Sequence, residues 1–250
     1  MSKRMLLIVE GPSDEEVLIK KLWDRFDKGA DYEIVTYKTN VYVLMRALFI
    51  DGVIDEDLDL VRLLRSEDNP SGIRLDRSEK FTDVFMVFDL DPQDPNADLD
   101  MLGKMLRFFD DSTSKGKLFI NYPMMQSYRH ITGQNDPGFK DRMVPANIGR
   151  RYKSMVDKEA WNRLKQINRL NRDTLRWIIE LHLSKMSYIV NGSFEIPSYR
   201  AYKNMTGDLV LRKQLEVIRI QGSVYVLNTS MFLIVDYCPS WFFPDVEPGR

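Results

Sequence analysis

Apolar strand-like runs that alternate with helical patterns constrain the fold of this chain more than any other feature. Residues 5–9 and 84–88 are continuous apolar runs, typical of parallel strands covered on both faces, and residues 33–37 and 117–122 predict two further strands. Apolar residues at helical spacing follow each of the first three. This alternation predicts an α/β fold with a mostly parallel sheet, flanking helices and a ligand crevice at the carboxyl ends of the strands.

The same patterns divide the chain into two regions. Residues 1–132 contain the four strands, and the charged, irregular residues 51–80 are interpreted as an insertion with one short helix. From residue 133 onward the apolar spacing becomes helical, at 161, 164 and 167 and again from 175 to 183. We therefore expect residues 133–250 to form a mainly helical C-terminal region.

Charge and cysteine content exclude several classes of protein. Lys and Arg total 36 against 37 Asp and Glu, so the net charge of -1 excludes a uniformly basic nucleic-acid coat. The lone Cys238 and the two histidines, His130 and His182, exclude an internal disulfide and a Cys/His zinc site. No apolar run reaches the ~20 residues of a membrane span or the core of a signal peptide. These features predict a cytoplasmic protein with no membrane partner.

Acidic residues stand at the ends of two predicted strands. Glu10 follows the first strand and Asp14 lies four residues later, while Asp89 and Asp91 close the third. The alternation of an extended chain would aim Asp89 and Asp91 to the same side. Hard oxygen ligands without His or Cys select Mg²⁺ or Mn²⁺, the ions of phosphoryl transfer. The sequence predicts such a metal site at the sheet edge.

These acids also have a simpler interpretation. Acids after strands often cap helices, and residues 89–95 taken alone are compatible with a solvated turn. Two acid clusters after two strands that a βαβαβ topology would place side by side favour the metal site.

Basic residues in the second half could form a surface for phosphates. They are Lys140, Arg142, Arg150, Arg151, Lys153, Arg163, Lys165, Arg169, Arg172 and Arg176. Interspersed with Tyr152 and Trp161, they are compatible with a stripe that follows a nucleic-acid backbone. They are equally compatible with a solvated helical face, because Asp157, Glu159 and Asp173 lie among them. The aromatic residues alone are more typical of a core.

The acidic motifs resemble those of a known family. Residues 7–14, Leu-Ile-Val-Glu-Gly-Pro-Ser-Asp, are similar to the first Toprim motif, and residues 87–91, Val-Phe-Asp-Leu-Asp, to the second. The Toprim fold is shared by topoisomerases, bacterial primases, recombination proteins, a small ribonuclease that matures ribosomal RNA, and the overcoming-lysogenization-defect (OLD) nucleases. The resemblance implies that Glu10 is a general acid or base and a metal ligand, that Asp89 and Asp91 hold Mg²⁺, and that Asp14 supports a second ion.

One position departs from the family pattern. OLD-like members place an acid after the next strand, where this chain has Gln126. An amide oxygen can ligate a hard cation but carries no charge, so a second metal would be held more weakly. The choice between one metal and two stays open.

The resemblance implies a Toprim-type, Mg²⁺- or Mn²⁺-dependent endonuclease with catalytic Glu10, Asp89 and Asp91. It implies DNA or RNA as substrate, transfer RNA included, and an anti-phage defence effector that acts beside a separate ATPase. A homo-oligomer stays open. No glycine-rich phosphate loop follows the first strand, so no nucleotide cofactor is expected. Two alternatives remain: a non-catalytic partner subunit of a defence complex, and another metal-dependent phosphoryl-transfer enzyme, such as a phosphatase with Asp89 as nucleophile.

Overall fold

The computed structural model describes residues 4–12, 14–66, 75 and 79–247. Numbered in chain order, the strands are β1 Arg4–Val9, β2 Asp31–Thr36, β3 Phe49–Ile50, β4 Val53–Ile54, β5 Asp83–Asp89, β6 Asp110–Asp111, β7 Gly116–Asn121, β8 Met143–Pro145 and β9 Ser223–Tyr225. The α-helices are α1 Asp14–Phe26, α2 Val41–Leu48, α3 Leu60–Arg65, α4 Leu99–Phe108, α5 Arg151–Glu159, α6 Arg172–Asn191, α7 Tyr199–Asn204, α8 Gly207–Gln221 and α9 Phe232–Tyr237.

A five-stranded sheet in the order β2-β1-β5-β7-β6 forms the centre of the first half. β1 pairs in parallel with both β2 and β5, and β5 pairs in parallel with β7. Only the short edge strand β6 is antiparallel within this sheet. The central strands are buried on both faces, which is why they are apolar throughout. The predicted α/β fold with a mostly parallel sheet is confirmed.

Helices cover the sheet and join the two halves of the chain. α4 packs against α2, β7 and α8, while α1 packs against α6 and α9. The buried apolar side chains form one continuous cluster that includes residues of both regions. None of the helices in the described part of the chain is long and apolar enough to cross a membrane.

The end of β7 is bonded to a segment from the second half. The hydroxyl of Thr229 donates to the carbonyl of Ile120 at 2.7 Å, and the N–H of Ser230 donates to Oδ1 of Asn121 at 3.2 Å. β8 and β9 form a separate antiparallel pair just before this segment. The second half therefore completes the carboxyl end of the sheet.

The structure differs from the sequence prediction in residues 161–170. Residues 161–170 contain two 3₁₀ turns, Asn162–Leu164 and Ile167–Arg169, instead of an α-helix. The apolar spacing there is three residues, which matches the three-residue repeat of a 3₁₀ turn. The short helix expected in the 51–80 insertion is present as α3, and the insertion also contains β4, with Asp51 and Gly52 at positive φ in the turn between β3 and β4. Residues 67–74 and 76–78 of it lie outside the described residues.

Candidate functional site

Glu10 and Asp89 meet at the carboxyl edge of the sheet. Glu10 follows β1 and Asp89 ends β5, and these two strands are neighbours. Oε2 of Glu10 accepts a hydrogen bond from the backbone N–H of Asp89 at 3.1 Å, and the Glu10 N–H donates to the carbonyl of Val87 at 3.2 Å. Parallel pairing thus brings two acids together that are far apart in sequence.

Asp91 lies beside this pair in a different backbone conformation from the one expected. Its φ is 36°, so the chain leaves the extended conformation there and the expected strand alternation does not hold. Two carbonyls, those of Asn121 and Pro123, accept from the Leu90 N–H at 3.1 and 3.2 Å and hold the turn. Oδ1 of Asp91 accepts from Nε2 of Gln93 at 3.1 Å. Asp91 reaches the site through a left-handed turn.

Asp14 is engaged by a cation and an amide. Its Oδ2 accepts from Nζ of Lys153 at 2.7 Å and from Nε2 of Gln126 at 2.6 Å. The structure thus brings Gln126 to Asp14, and the lysine of α5 neutralises the carboxylate. Asp14 adds less negative charge to the site than the resemblance implies.

Glu15 is the acid that the sequence analysis missed. It is 8% exposed, and its charge acts on both Glu10 and Asp89. A Cβ at Gly11 would lie 3.0 Å from Oε2 of Glu15, so glycine at that position leaves room for the carboxylate. In the sequence, Glu15 resembles an ordinary acid in the first turn of a helix. Only Gly11, four residues earlier, indicates that space is needed beside it.

Burial and mutual repulsion disfavour the charged forms of these carboxyl groups. Burial, followed by the charges of Asp91 and Glu15, raises the pKa of Glu10 to about 8, although the Asp89 N–H opposes the shift. Burial and the charges of Glu10 and Glu15 raise the pKa of Asp89 well above its ordinary value, against the hydrogen bond from Asn121. Burial also raises the pKa values of Asp91 and Glu15.

No counter-charge within the described residues pairs with the cluster. Of the lysines and arginines described, none forms an ion pair with Glu10, Glu15, Asp89 or Asp91. Buried carboxylates without a partner destabilise a folded protein unless a proton or a cation neutralises them. The arrangement is therefore electrostatically suited to a cation.

The donor set matches a hard divalent ion, with few direct ligands. Within the described ranges, no group of three or more His, Cys, Asp and Glu side chains is placed to hold a metal ion. Mg²⁺ commonly uses one or two carboxylates and keeps several waters. Oε1 of Gln126 is buried without a hydrogen-bond partner in the described part of the chain, which leaves one more oxygen available. The chemistry of these donors fits Mg²⁺ or Mn²⁺ held through a few ligands and water.

The basic residues predicted as a stripe differ in their partners. Some are bound to acids at 2.6–2.7 Å: Arg142 to Asp136, Lys153 to Asp14, and Arg176 to Glu180. Others, Arg150, Arg151 and Arg163, form no ion pair with any described residue and are exposed. Tyr152 is fully buried and belongs to the core, whereas Trp161 is half-buried. The free cations lie on and around α5, whose Lys153 contacts Asp14.

The chain matches no protein-family model, no curated protein and no solved structure. The Toprim resemblance carried by residues 7–14 and 87–91 therefore stays a prediction. What is shown is an α/β fold with a mostly parallel five-stranded sheet. Its carboxyl edge gathers Glu10, Glu15, Asp89 and Asp91, and this geometry is the basis for the function proposed next.

Proposed function

We propose that this chain is a Toprim-type, Mg²⁺- or Mn²⁺-dependent nuclease that hydrolyses phosphodiester bonds of nucleic acid. One observation carries the proposal: the half-buried Glu10 and the buried Asp89 lie side by side at adjacent strand ends, and neither forms an ion pair with a described residue. Such a cluster lowers the stability of the folded protein, as functional sites commonly do. A bound cation would offset the repulsion and restore that stability.

Each acid has a distinct role in this proposal. Glu10 and Asp89 would hold the ion, with Asp91 and Glu15 adding negative charge around it. When bound, the ion supplies charge stabilisation at the scissile phosphate and favours ionisation of water. Glu10 would exchange a proton with water or the leaving oxygen, the role that the Toprim resemblance implies for this position. The exposed Arg150 and Arg151 at the start of α5 bind phosphate oxygens.

The biological setting belongs to the same proposal. The resemblance implies an endonuclease of anti-phage defence that acts beside a separate ATPase, on DNA or on RNA such as transfer RNA. The free cations on α5 support a polyanionic substrate and do not distinguish DNA from RNA.

Cleavage assays test the nuclease directly. Wild-type protein, Glu10→Ala and the control Glu216→Gln are incubated with plasmid, single-stranded DNA and total RNA, in Mg²⁺, Mn²⁺ or EDTA. Glu216 is exposed and, among the described residues, pairs only with Lys213, so its replacement leaves the site intact. We expect metal-dependent cutting that Glu10→Ala reduces by about 10²-fold or more. Equal cutting by all three proteins, or cutting in EDTA, would contradict the proposal.

A non-catalytic partner subunit is the second candidate. It is favoured by the neutralisation of Asp14 and by the lack, among the described residues, of a three-ligand metal group. Calorimetry separates the two functions: if the chain neither binds Mg²⁺ nor cuts any substrate, the isolated chain is not a competent nuclease and the partner subunit becomes the favoured function.

A phosphatase that uses Asp89 as nucleophile makes a different prediction. It would lose activity in Asp89→Asn and retain it in Glu10→Ala. The nuclease requires both residues.

A further inference from the structure

Two tryptophans line an open groove beside α5. Trp161 follows α5 and Trp177 lies on α6, with ring centroids 6.3 Å apart and planes at 82°. The groove has a volume of about 210 Å³, and its walls are formed by Gln134, Trp161, Arg163, Asp173, Thr174 and Trp177. Both indoles are only half-buried, whereas Trp23 is 1% exposed. Part of each indole therefore remains available to a ligand.

A cation is fixed on one of these rings. The guanidinium carbon of Arg163 lies 5.6 Å from the ring centroid of Trp161, and its Nη2 donates to Oγ1 of Thr174 at 3.3 Å. Arg163 is exposed and forms no ion pair in the described part of the chain. Aromatic faces beside a cation are the combination that stacks nucleobases and holds the adjoining phosphate.

Helix α5 connects this groove to the acidic site. Near its start, Nζ of Lys153 lies 2.7 Å from Asp14, and Trp161 comes two residues after its end. At ~1.5 Å per helical residue, the helix rises roughly 9 Å from Lys153 to its end at Glu159, and Trp161 follows two residues later. A strand that leaves the carboxylates along α5 therefore reaches the groove within a few nucleotides.

The path between the two sites is net positive. Arg150, Arg151, Lys158 and Arg163 are exposed and lack an ion pair with any residue described. Asp157 is neutralised by Arg129 at 2.6 Å. Glu159, which hydrogen bonds to the ring of His130, and Asp173 in the groove are the opposing acids. The remaining charge complements a phosphate backbone.

We infer that the Trp161–Trp177 groove binds an unpaired nucleobase, so that the chain selects nucleic acid with a single-stranded segment near the bond to be cut. The inference rests on the proposed function, since it names the class of substrate used by the same site. Paired bases in a duplex are stacked on one another and cannot enter the groove. Asp173 and Gln134 line the same groove and offer hydrogen-bonding groups to a base edge.

Fluorescence anisotropy with labelled 12-nucleotide probes tests the inference in EDTA, where no cleavage occurs. The probes are single-stranded DNA, single-stranded RNA, the matching DNA duplex and an abasic DNA strand. We expect wild type to bind at least one base-containing single strand at least about fivefold more tightly than the abasic strand, and Trp161→Ala to lose that advantage. Comparing the affinities for single-stranded DNA and single-stranded RNA shows whether the protein prefers deoxyribose or ribose.

Two further variants control for a general loss of packing. Trp161→Phe keeps an aromatic face and should retain most of the affinity. Trp241→Ala removes another half-buried indole, which carries Arg172 at 4.7 Å but lies outside the groove, and should bind as wild type does. Equal binding of base-containing and abasic strands by wild type, unchanged affinity in Trp161→Ala, or equal weakening in Trp241→Ala would overturn the inference.

The two proposals can fail separately. If wild type binds single strands through Trp161 but cuts nothing in Mg²⁺ or Mn²⁺, base binding by the groove is confirmed and the proposed nuclease activity is wrong. If cutting depends on Glu10 but Trp161→Ala binds every probe as tightly as wild type, the nuclease stands and the inference about the groove is wrong.

Discussion

Glu15 and Asp14 are adjacent acids in very different electrostatic surroundings. Asp14 shares its Oδ2 with Lys153 and Gln126. Glu15 is buried against the turn after β1, and no cation of the described residues pairs with it. Of these two adjacent acids, Glu15 is therefore the one whose charge repels Glu10 and Asp89.

Neutralising Glu15 and neutralising Asp14 should affect the free energy of unfolding differently. Without metal, Glu15→Gln removes repulsion from the cluster and should raise the free energy of unfolding by about 1 kcal/mol, or ~2–4 °C in melting temperature. Asp14→Asn breaks the pair with Lys153 and should not raise it. Addition of Mg²⁺ should stabilise wild type and Asp14→Asn more than Glu15→Gln. Thermal melts in EDTA and in increasing Mg²⁺ measure both effects, and equal behaviour of the two variants would refute this account.

His182 should make stability depend on pH. It is fully buried, its Nδ1 accepts from the Asn228 N–H at 3.1 Å, and burial together with the charge of Lys185 lowers its pKa to about 3. Between pH 6.5 and 3 the unfolded chain binds a proton that the folded chain does not, so the folded state loses stability as pH falls. From pH 7 to 5 this loss is about 2 kcal/mol.

The variant His182→Gln isolates this contribution from that of the carboxyl groups. The difference in unfolding free energy between wild type and variant should shift by about 2 kcal/mol in favour of the variant over that range. Urea denaturation at pH 7, 6 and 5 measures it. A constant difference would mean that the pKa of His182 is the same in the folded and the unfolded chain.

Part of the candidate site could be predicted at the level of residues. Glu10 and Asp89 follow apolar runs, and parallel strands place such residues together. The pairing of Asp14 with Lys153 joins residues 139 positions apart, which no local spacing indicates. The positive φ of Asp91 has no signal either, since the residue is not glycine.

At the scale of elements, the length of a strand determined whether its position could be predicted from the sequence. β1, β5 and β7 have six or seven residues, and their burial gives continuous apolar runs. β3, β4 and β8 have two or three residues and show no period that could be recognised. Their positions depend on tertiary pairing: β8, for example, pairs with β9, which lies much later in the chain.

The contact between α8 and α4 requires a residue without a side chain. A Cβ at Gly207, the first residue of α8, would lie 2.9 Å from Cδ2 of the buried Leu106. Gly207→Ala should therefore cost about 1–3 kcal/mol of stability through overpacking. Gly133→Ala is the control, because nothing lies within 4 Å of its added Cβ, and it should change stability by less than ~0.5 kcal/mol. Chemical denaturation compares them, and equal costs would show that Leu106 moves aside freely.

At the scale of the whole molecule, the two predicted regions share one core. The carboxyl end of β7 is bonded to Thr229 and Ser230, and Nδ2 of Asn228 donates to the carbonyl of Met125 at 3.0 Å. Residues of both regions belong to the same apolar cluster. The boundary near residue 133 marks a change of pattern along the chain, and the edge of the sheet that holds the candidate site depends on residues from beyond it.

A fragment of residues 1–132 should therefore fail to fold cooperatively. Removing the second half exposes the apolar faces of β7 and α4 and leaves the hydrogen-bonding groups of Asn121 without Ser230. Circular dichroism should show a broad thermal transition for the fragment and a sharp one for the full chain. A sharp transition in the fragment would establish residues 1–132 as an independent domain.

The antiparallel edge strand β6 has a consequence for how copies of the protein behave in concentrated solution. It consists of Asp110 and Asp111, both exposed, and it covers the outer side of β7. At this edge another chain could extend the sheet only by adding a strand alongside two carboxylates, which repel a similarly charged edge. This short acidic strand therefore protects the β7 side of the sheet from intermolecular strand pairing.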